Sequence, residues 1–253
     1  MSQPYTEKLV RRLKSIHSLN AEDEVALHAL PIRIQDIGAR QDVVREGDRP
    51  SRSCILFEGM SAWYKTTGEG SRQILSFQIP GDMPDLHSLH LDVMDSSLLT
   101  ISPCKFGFVE HEAIRDLCER RPKVASAFWR MTLIDGAIFR EWVTNNSARK
   151  AKARVAHLLC EHVTRVSAVG DSHSGVRCAL PLTQSDIADA TGTSTVHVNR
   201  AMQDLRKSKL IRFQKFELEV LDWEGLQDAG DFDPTYLYLV RPNREPTAAV
   251  PGL

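Results

Sequence analysis

The sequence contains no long apolar run. No stretch of the 253 residues approaches the roughly 20 consecutive apolar residues that a membrane-spanning helix needs. The N-terminal segment MSQPYTEKLVRRLK is charged where a secretion signal would be apolar. We therefore expect a cytoplasmic, globular protein, with its 42% hydrophobic residues divided between two modest domains.

Closely spaced cysteines are also missing. The five cysteines are widely separated, odd in number and include no CxxC pair, and none precedes Cys54. Zinc sites and redox pairs usually require such close spacing. We expect reduced, structural thiols and no metal site.

Charge is distributed unevenly along the chain, although the net charge is only −1. Residues 149–215 contain 12 Lys and Arg against 5 Asp and Glu, whereas the rest of the chain contains 20 against 28. A basic segment of this size suits a nucleic-acid backbone, because neutralised phosphates release counterions. A solvated basic face is the alternative.

The order of patterns along the chain predicts an α+β protein. Helical spacing of leucines marks a lead-in over 5–30, with Asn20 as the N-cap of its second helix. Short apolar runs between turn residues then predict antiparallel strands over 32–109, folded as a sandwich or roll. A long helix over 123–145 carries more apolar surface than one roll covers, so part of it is expected to pack on a twin helix, and a further helix follows over 147–166.

The most informative segment reads LTQSDIADATGTSTVHVNRAMQDLRKSKLI. Thr183 is placed to cap a short helix, and Gly192 supplies a left-handed turn before a second helix that starts near Ser194. The second helix is expected to bury Val198 and Leu205 and to turn its polar side outward. Two strands over 212–220 would form a wing. The sequence therefore predicts a winged helix-turn-helix.

The outward side of the second helix is expected to enter a DNA major groove. Arg200 is the strongest candidate for a base contact, because its planar guanidinium matches the acceptors of guanine, and His197 and Asn199 follow. The other candidates would grip phosphates or flank the contact. The complete predicted DNA-binding set is Thr183, Gln184, Ser194, Thr195, Val196, His197, Asn199, Arg200, Gln203, Lys207 and Lys215.

This motif resembles the Crp-Fnr superfamily of transcription regulators, named after the cyclic-AMP receptor and the fumarate-nitrate regulator. The resemblance covers most of the chain and includes turn glycines of the roll such as Gly47, Gly59 and Gly81. It implies a cyclic-nucleotide-binding-type β-roll over 1–121, a dimerisation helix over 122–146 and a winged helix-turn-helix domain with a C-terminal extension over 147–253. The implied partners are palindromic operator DNA, a second copy of the chain and RNA polymerase. Val196 departs from the acidic residue of several relatives, so the operator sequence stays open.

The effector of such a regulator is not identified by the sequence. Between Arg72 and Arg115 there is no arginine to hold a cyclic phosphate, and the N-terminus lacks the cysteines of an iron-sulfur sensor. We therefore expect neither cyclic AMP nor an iron-sulfur cluster. Asp85, His87 and His90 form a candidate effector pocket, with an ordinary structural role as the alternative.

Two other functions compete with a DNA-binding regulator. An enzyme is disfavoured, because the Gly68-Glu69-Gly70 segment and His111-Glu112 lack the partner residues of dinucleotide-binding and zinc-protease motifs. A regulatory module that binds an effector and acts through protein partners remains open. In a DNA-binding regulator, a hinge near 145–147 is expected to transmit an effector or redox event in the roll to the recognition helices.

Overall fold

The computed structural model describes residues 3–170 and 177–240. The sequence predicts a loop over 169–175 and a loose tail over 244–253; residues 171–175 of that loop and the whole tail lie outside the described residues. Among the described residues, no helix is both long and apolar enough to cross a membrane.

The chain begins with two helices, α1 (Gln3–Lys14) and α2 (Ala21–His28). Asn20 caps α2 as predicted: its side chain accepts from the Asp23 amide, and the Asp23 carboxylate accepts from the Asn20 amide. Leu9 and Leu13 on α1 are fully buried. The lead-in is therefore part of the core rather than an appendage.

The β-roll consists of two antiparallel sheets, with strand orders β1-β7-β3 and β2-β6-β4-β5. A short 3-10 turn at Leu86–Leu89 precedes β6. The strands are β1 (Arg33–Ile37), β2 (Asp42–Val44), β3 (Arg52–Glu58), β4 (Ser61–Thr66), β5 (Arg72–Gln78), β6 (Ser97–Thr100) and β7 (Cys104–Glu110).

Gly81 brings the roll into contact with α1. Its φ of +100° lies in the region that favours glycine, and an added Cβ would lie 2.6 Å from the Lys8 carbonyl oxygen. The turn after β5 and α1 can therefore approach this closely only with glycine at this position.

Two helices follow the roll, α3 (His111–Arg120) and α4 (Pro122–Ala148). Pro122 starts α4 at the first helical position, where its missing amide hydrogen is not needed. Along α4, apolar residues at steps of three and four mark one helix face in the sequence. All of them are buried: Val124, Phe128, Met131, Ile134, Ile138 and Trp142.

Residues 145–147, near which a hinge is predicted, form the last turn of α4, and the hinge stays a prediction. Ser147 donates to the Val143 carbonyl at 2.7 Å, and the buried Asn145 side chain donates to the Arg154 carbonyl at 3.3 Å. The chain leaves the helix only at Arg149, whose ψ is 154°. The next helix, α5 (Ala151–Ala168), therefore begins later than the predicted 147.

The C-terminal part contains a three-stranded sheet of order β8-β10-β9 and three helices. The sequence predicted the two wing strands, and β8 is an additional strand that pairs with β10. The elements are β8 (Arg177–Ala179), α6 (Gln184–Thr191), α7 (Thr195–Lys207), β9 (Ile211–Gln214), β10 (Glu217–Val220) and α8 (Trp223–Gly230).

A buried charge network joins α1, the roll and α5. Asp82 accepts from Arg12 Nε at 2.8 Å and from Arg165 Nη2 at 2.7 Å. Arg165 Nη1 also lies 3.4 Å from Glu161 Oε1. All four side chains are buried, so the two halves of the protein meet at ionised groups as well as at apolar ones.

Candidate DNA-binding site and adjoining cavity

The first helix of the predicted motif, α6, is fixed by a capping box. The Asp186 amide donates to Thr183 Oγ1 at 3.2 Å, and Asp186 Oδ2 accepts from the Thr183 amide at 2.9 Å. Thr183 and Gln184 are exposed beside the cap, whereas Asp186 is buried. The predicted role of Thr183 as a cap is confirmed.

The turn between α6 and α7 has the predicted left-handed glycine. Gly192 has a φ of +59° and ends α6, and Arg154 Nη1 donates to the Thr191 carbonyl at 3.0 Å. This turn sets the angle at which α7 leaves α6.

Ser194 caps α7 by accepting from the His197 amide at 3.3 Å. Val198, Ala201, Met202 and Leu205 are buried on one side of the helix. The opposite side is exposed as predicted, apart from the half-buried Asn199, and consists of Thr195, Val196, His197, Arg200, Gln203 and Lys207.

Two of the predicted contact residues touch each other. Asn199 Nδ2 donates to Gln184 Oε1 at 3.4 Å, so the exposed end of α6 orients a side chain on α7. In the described part of the chain, Arg200 and Lys207 form no ion pair and are free to meet an anion.

The wing ends in a two-residue turn that exposes Lys215 and Phe216. Both residues have positive φ, 49° and 63°, which is unfavourable for side chains of this size. The sequence pointed to Lys215 but not to Phe216, because no glycine or asparagine marks the turn.

Two family models match this arrangement. The model described as "Cyclic nucleotide-binding domain" matches residues 34–121, and the model described as "Crp-like helix-turn-helix domain" matches residues 153–229. The chain is a Crp-Fnr superfamily transcription regulator. The predicted function as a DNA-binding regulator is thereby confirmed at the level of the family.

Named relatives of the regulator support this assignment. Transcriptional activator protein FnrL of Cereibacter sphaeroides is 26% identical over 200 residues, covering 76% of this chain and 79% of that protein. Transcriptional activator protein FnrA of Stutzerimonas stutzeri is 24% identical over 212 residues, covering 83% and 85%. The solved structure of FixK2 from Bradyrhizobium japonicum has a TM-score of 0.71 at 20% identity, covering 79% of this chain and 98% of that one.

The regulator contains a cavity of about 780 Å³ between α4 and the β-roll. Its wall is mostly apolar and includes Trp63 and Leu75 from the roll and Phe139 and Trp142 from α4. A volume of this order is typical of sites for small organic ligands.

The structure does not bring the predicted effector residues together. His87 lies in the cavity wall and packs on Trp63, with ring centroids 5.7 Å apart. Asp85 is instead buried under β3, where it accepts from the Cys54 amide at 2.7 Å, and this burial raises its pKa to about 7. His90 is exposed. Of these three predicted effector residues, His87 alone lies in the cavity wall.

Residues of the roll that hold α6 were not found from the sequence. Arg40 donates to both carboxylate oxygens of Asp186, at 2.6 and 2.7 Å, and Arg72 Nε donates to Asp189 at 2.8 Å. These partners are more than 100 positions apart along the chain, so no local pattern reveals them. They tie the β-roll to the first helix of the helix-turn-helix.

Proposed function

We propose that the regulator reads a two-fold symmetric operator as a homodimer, with α7 of each copy in the major groove. The observation that carries the proposal is the exposed polar side of α7, which begins at a capped N-terminus and includes the unpaired Arg200. Helices presented in this way reach base edges with their N-terminal residues.

The residues of the site divide into two roles in this proposal. The residues that face bases are Thr195, Val196, His197, Asn199, Arg200 and Gln203. The residues that bind phosphates on either side are Thr183, Gln184, Ser194, Lys207 and Lys215. Gln184 also orients Asn199 through its hydrogen bond.

An exposed apolar stripe on α4 supports the dimer. We call this stripe the seam, and it consists of Trp129, Leu133, Gly136, Phe139 and Val143. Trp129 and Val143 are 70% and 69% exposed. A Cβ at Gly136 would meet only the end of the Arg140 side chain, at 3.5 Å. Among the described residues nothing within 4 Å requires glycine there, whereas close approach of a second helix would.

RNA polymerase is a further partner in this proposal, supported by relatives that are named transcriptional activators. The rival function, an effector-binding module that acts through protein partners only, would give no salt-dependent affinity for DNA.

Selection of bound fragments from random-sequence DNA tests the proposal. We expect a palindromic motif for the wild-type protein. With Arg200→Ala, affinity for that motif should fall by about 1–3 kcal/mol with relaxed preference at one base pair per half-site. Arg120→Ala is the matched control, since Arg120 is an exposed arginine on α3. Lys207→Ala should weaken binding to all sequences. It should also reduce, by about 1, the slope of the logarithm of the binding constant against the logarithm of the salt concentration.

The outcomes separate the two functions. Absence of an enriched motif together with salt-independent affinity for DNA would reject the proposal in favour of the protein-partner module. An enriched motif that Arg200→Ala leaves unchanged would reject the assigned role of Arg200.

A further inference from the structure

The cavity between α4 and the roll presents carboxylates and no cationic side chain. Asp135 on α4 and Asp95 on the roll lie in its wall, and none of the Lys or Arg side chains of the described chain does. Asp135 forms no hydrogen bond or ion pair with any described residue. An anionic ligand would meet like charge there, whereas a cation would gain a partner.

A second polar group of the wall is buried without a full set of partners. Gln78 is 3% exposed, its Nε2 donates to Ser76 Oγ at 2.9 Å, and its Oε1 has no hydrogen-bond partner in the described structure. Buried amide oxygens are rarely left in this state.

Burial and the neighbouring charges set the protonation of Asp135, and the nearby arginines are bound to another carboxylate. Burial, and then the neighbouring Asp82, raise the pKa of Asp135 to about 7, against the opposing effect of Arg12 and Arg165. Those two arginines are already engaged by Asp82. In the cavity wall, burial lowers the pKa of His87, so this ring adds no positive charge near neutral pH.

Two side chains of the cavity wall also hold α6. Gln73 Nε2 donates to the Asp189 carbonyl at 2.6 Å, and Asn146 Nδ2 donates to the Ala190 carbonyl at 2.9 Å. Both carbonyls lie just before the Gly192 turn that leads into α7. A molecule in the cavity therefore touches the groups that position the helix-turn-helix.

We propose that the cavity binds a small organic cation with an apolar body, its ammonium group on Asp135, and that Gln73 and Asn146 relay its presence to α7. The binding half stands on the cavity alone. The relay half rests on the proposed function, since it is read out as DNA affinity.

Matched pairs of ligands test the binding half on the full chain. The probes are phenethylamine and tryptamine, their carboxylate counterparts 3-phenylpropionate and indole-3-propionate, and cyclic AMP, measured by calorimetry and ligand-detected NMR. We expect each amine to bind at least about tenfold more tightly than its carboxylate at pH 8, the difference that one charge-assisted hydrogen bond supplies. Amine affinity should fall about tenfold at pH 6, where Asp135 is mostly protonated while the amine keeps its charge.

Asp135→Asn should abolish both the preference for amines and its pH dependence. Asp116→Asn, at an exposed aspartate of α3, should change neither. Thermal melts of both variants show whether they fold. Three results would overturn the binding half: carboxylates that bind as tightly as amines, no binding by any amine at about 10 mM, a concentration well above a typical fragment affinity, or an unchanged preference in a folded Asp135→Asn protein.

The relay is tested by the ratio of the DNA affinity measured with saturating amine to the DNA affinity measured without amine. Because the amine is saturating, a variant that binds the amine more weakly still gives a valid ratio. We expect a ratio of at least about fivefold for the wild type. The ratio should approach one in the double variant Gln73→Ala, Asn146→Ala and stay unchanged in Gln35→Ala, an exposed glutamine of β1. A wild-type ratio of one with amine bound, or an undiminished ratio in the double variant, overturns the relay. No DNA binding at low salt would instead reject the proposed function and leave the binding half standing.

Discussion

Replacing Arg40 with alanine tests how firmly the β-roll holds α6. Arg40 forms a bidentate ion pair with Asp186, whose side chain is only 1% exposed. Arg40 has a φ of 62°, and alanine keeps the Cβ, so the backbone penalty is the same in both proteins. The variant therefore removes the ion pair without relieving strain.

The magnitude follows from the burial of the two partners. Removing one partner of a fully buried ion pair typically costs about 3–5 kcal/mol. Here the Arg40 side chain is 40% exposed, so water screens the pair, and Asp186 keeps its hydrogen bonds with Thr183 and a 3.4 Å contact with Arg72. We expect the free energy of unfolding to fall by about 1–2 kcal/mol.

The loss should depend on pH with a definite sign. Burial acts to raise the pKa of Asp186, but the hydrogen bonds from Arg40 and Thr183 together outweigh it and leave the pKa lowered. A carboxylate with a lowered pKa stabilises the fold above its unfolded pKa, and this stability is lost as the pH falls through the folded pKa. The difference between wild type and variant should therefore be steady well above the ordinary aspartate pKa of about 4 and shrink as the pH falls below it.

Urea unfolding, followed by circular dichroism and tryptophan fluorescence at several pH values, measures this difference. Arg33→Ala on β1 is the matched control, because Arg33 is exposed and lies outside the contact with α6. A loss within about 0.5 kcal/mol of that control, the usual range for surface changes, would refute the role assigned to the Arg40 contact. A loss that does not shrink at all as the pH falls below about 4 would refute its electrostatic origin.

Three further predictions concern the seam, the wing and a buried acid. Val143→Glu should raise the dimer dissociation constant in analytical ultracentrifugation, because the seam would bury a carboxylate; Val25→Glu, at a valine that is 67% exposed on α2, should not, and equal behaviour would contradict the seam. Lys215→Asn combined with Phe216→Gly should raise the free energy of unfolding by about 1 kcal/mol, since both new residues tolerate positive φ; an unchanged melting temperature would contradict this. Burial raises the pKa of Asp85 to about 7, so stability should decline as the pH rises from about 4 towards 7; Asp85→Asn should remove about 1 kcal/mol per pH unit of that decline in urea unfolding at pH 5, 6 and 7, and an unchanged slope would contradict the assignment.

The parts of the site that the sequence predicts are those fixed by local contacts. Thr183 and Ser194 cap helices through bonds that span three residues, and Gly192 is required by a single backbone conformation. Such signals are complete within a few positions of the chain. For this reason α6, α7 and the turn between them agree with the sequence-based prediction.

The parts that the sequence misses depend on contacts between distant segments. Arg40 reaches Asp186 across 146 positions, and β8 has three residues and exists only through its pairing with β10. Spacing also misleads in the turn after β5. Asp85, His87 and His90 are close along the chain, but the turn directs one inward, one to the cavity and one to solvent.

The buried charge network consists of two pairs that are each neutral. Arg12 and Asp82 belong to the N-terminal part of the chain, and Glu161 and Arg165 both lie on α5. If α5 moved away from the roll as a rigid body, neither surface would be left with an excess of buried charge. The contact between them can therefore separate without leaving an unpaired buried ion on either surface. Arg165 also acts to lower the pKa of Asp135, so such a separation would change the protonation of that carboxyl near neutral pH.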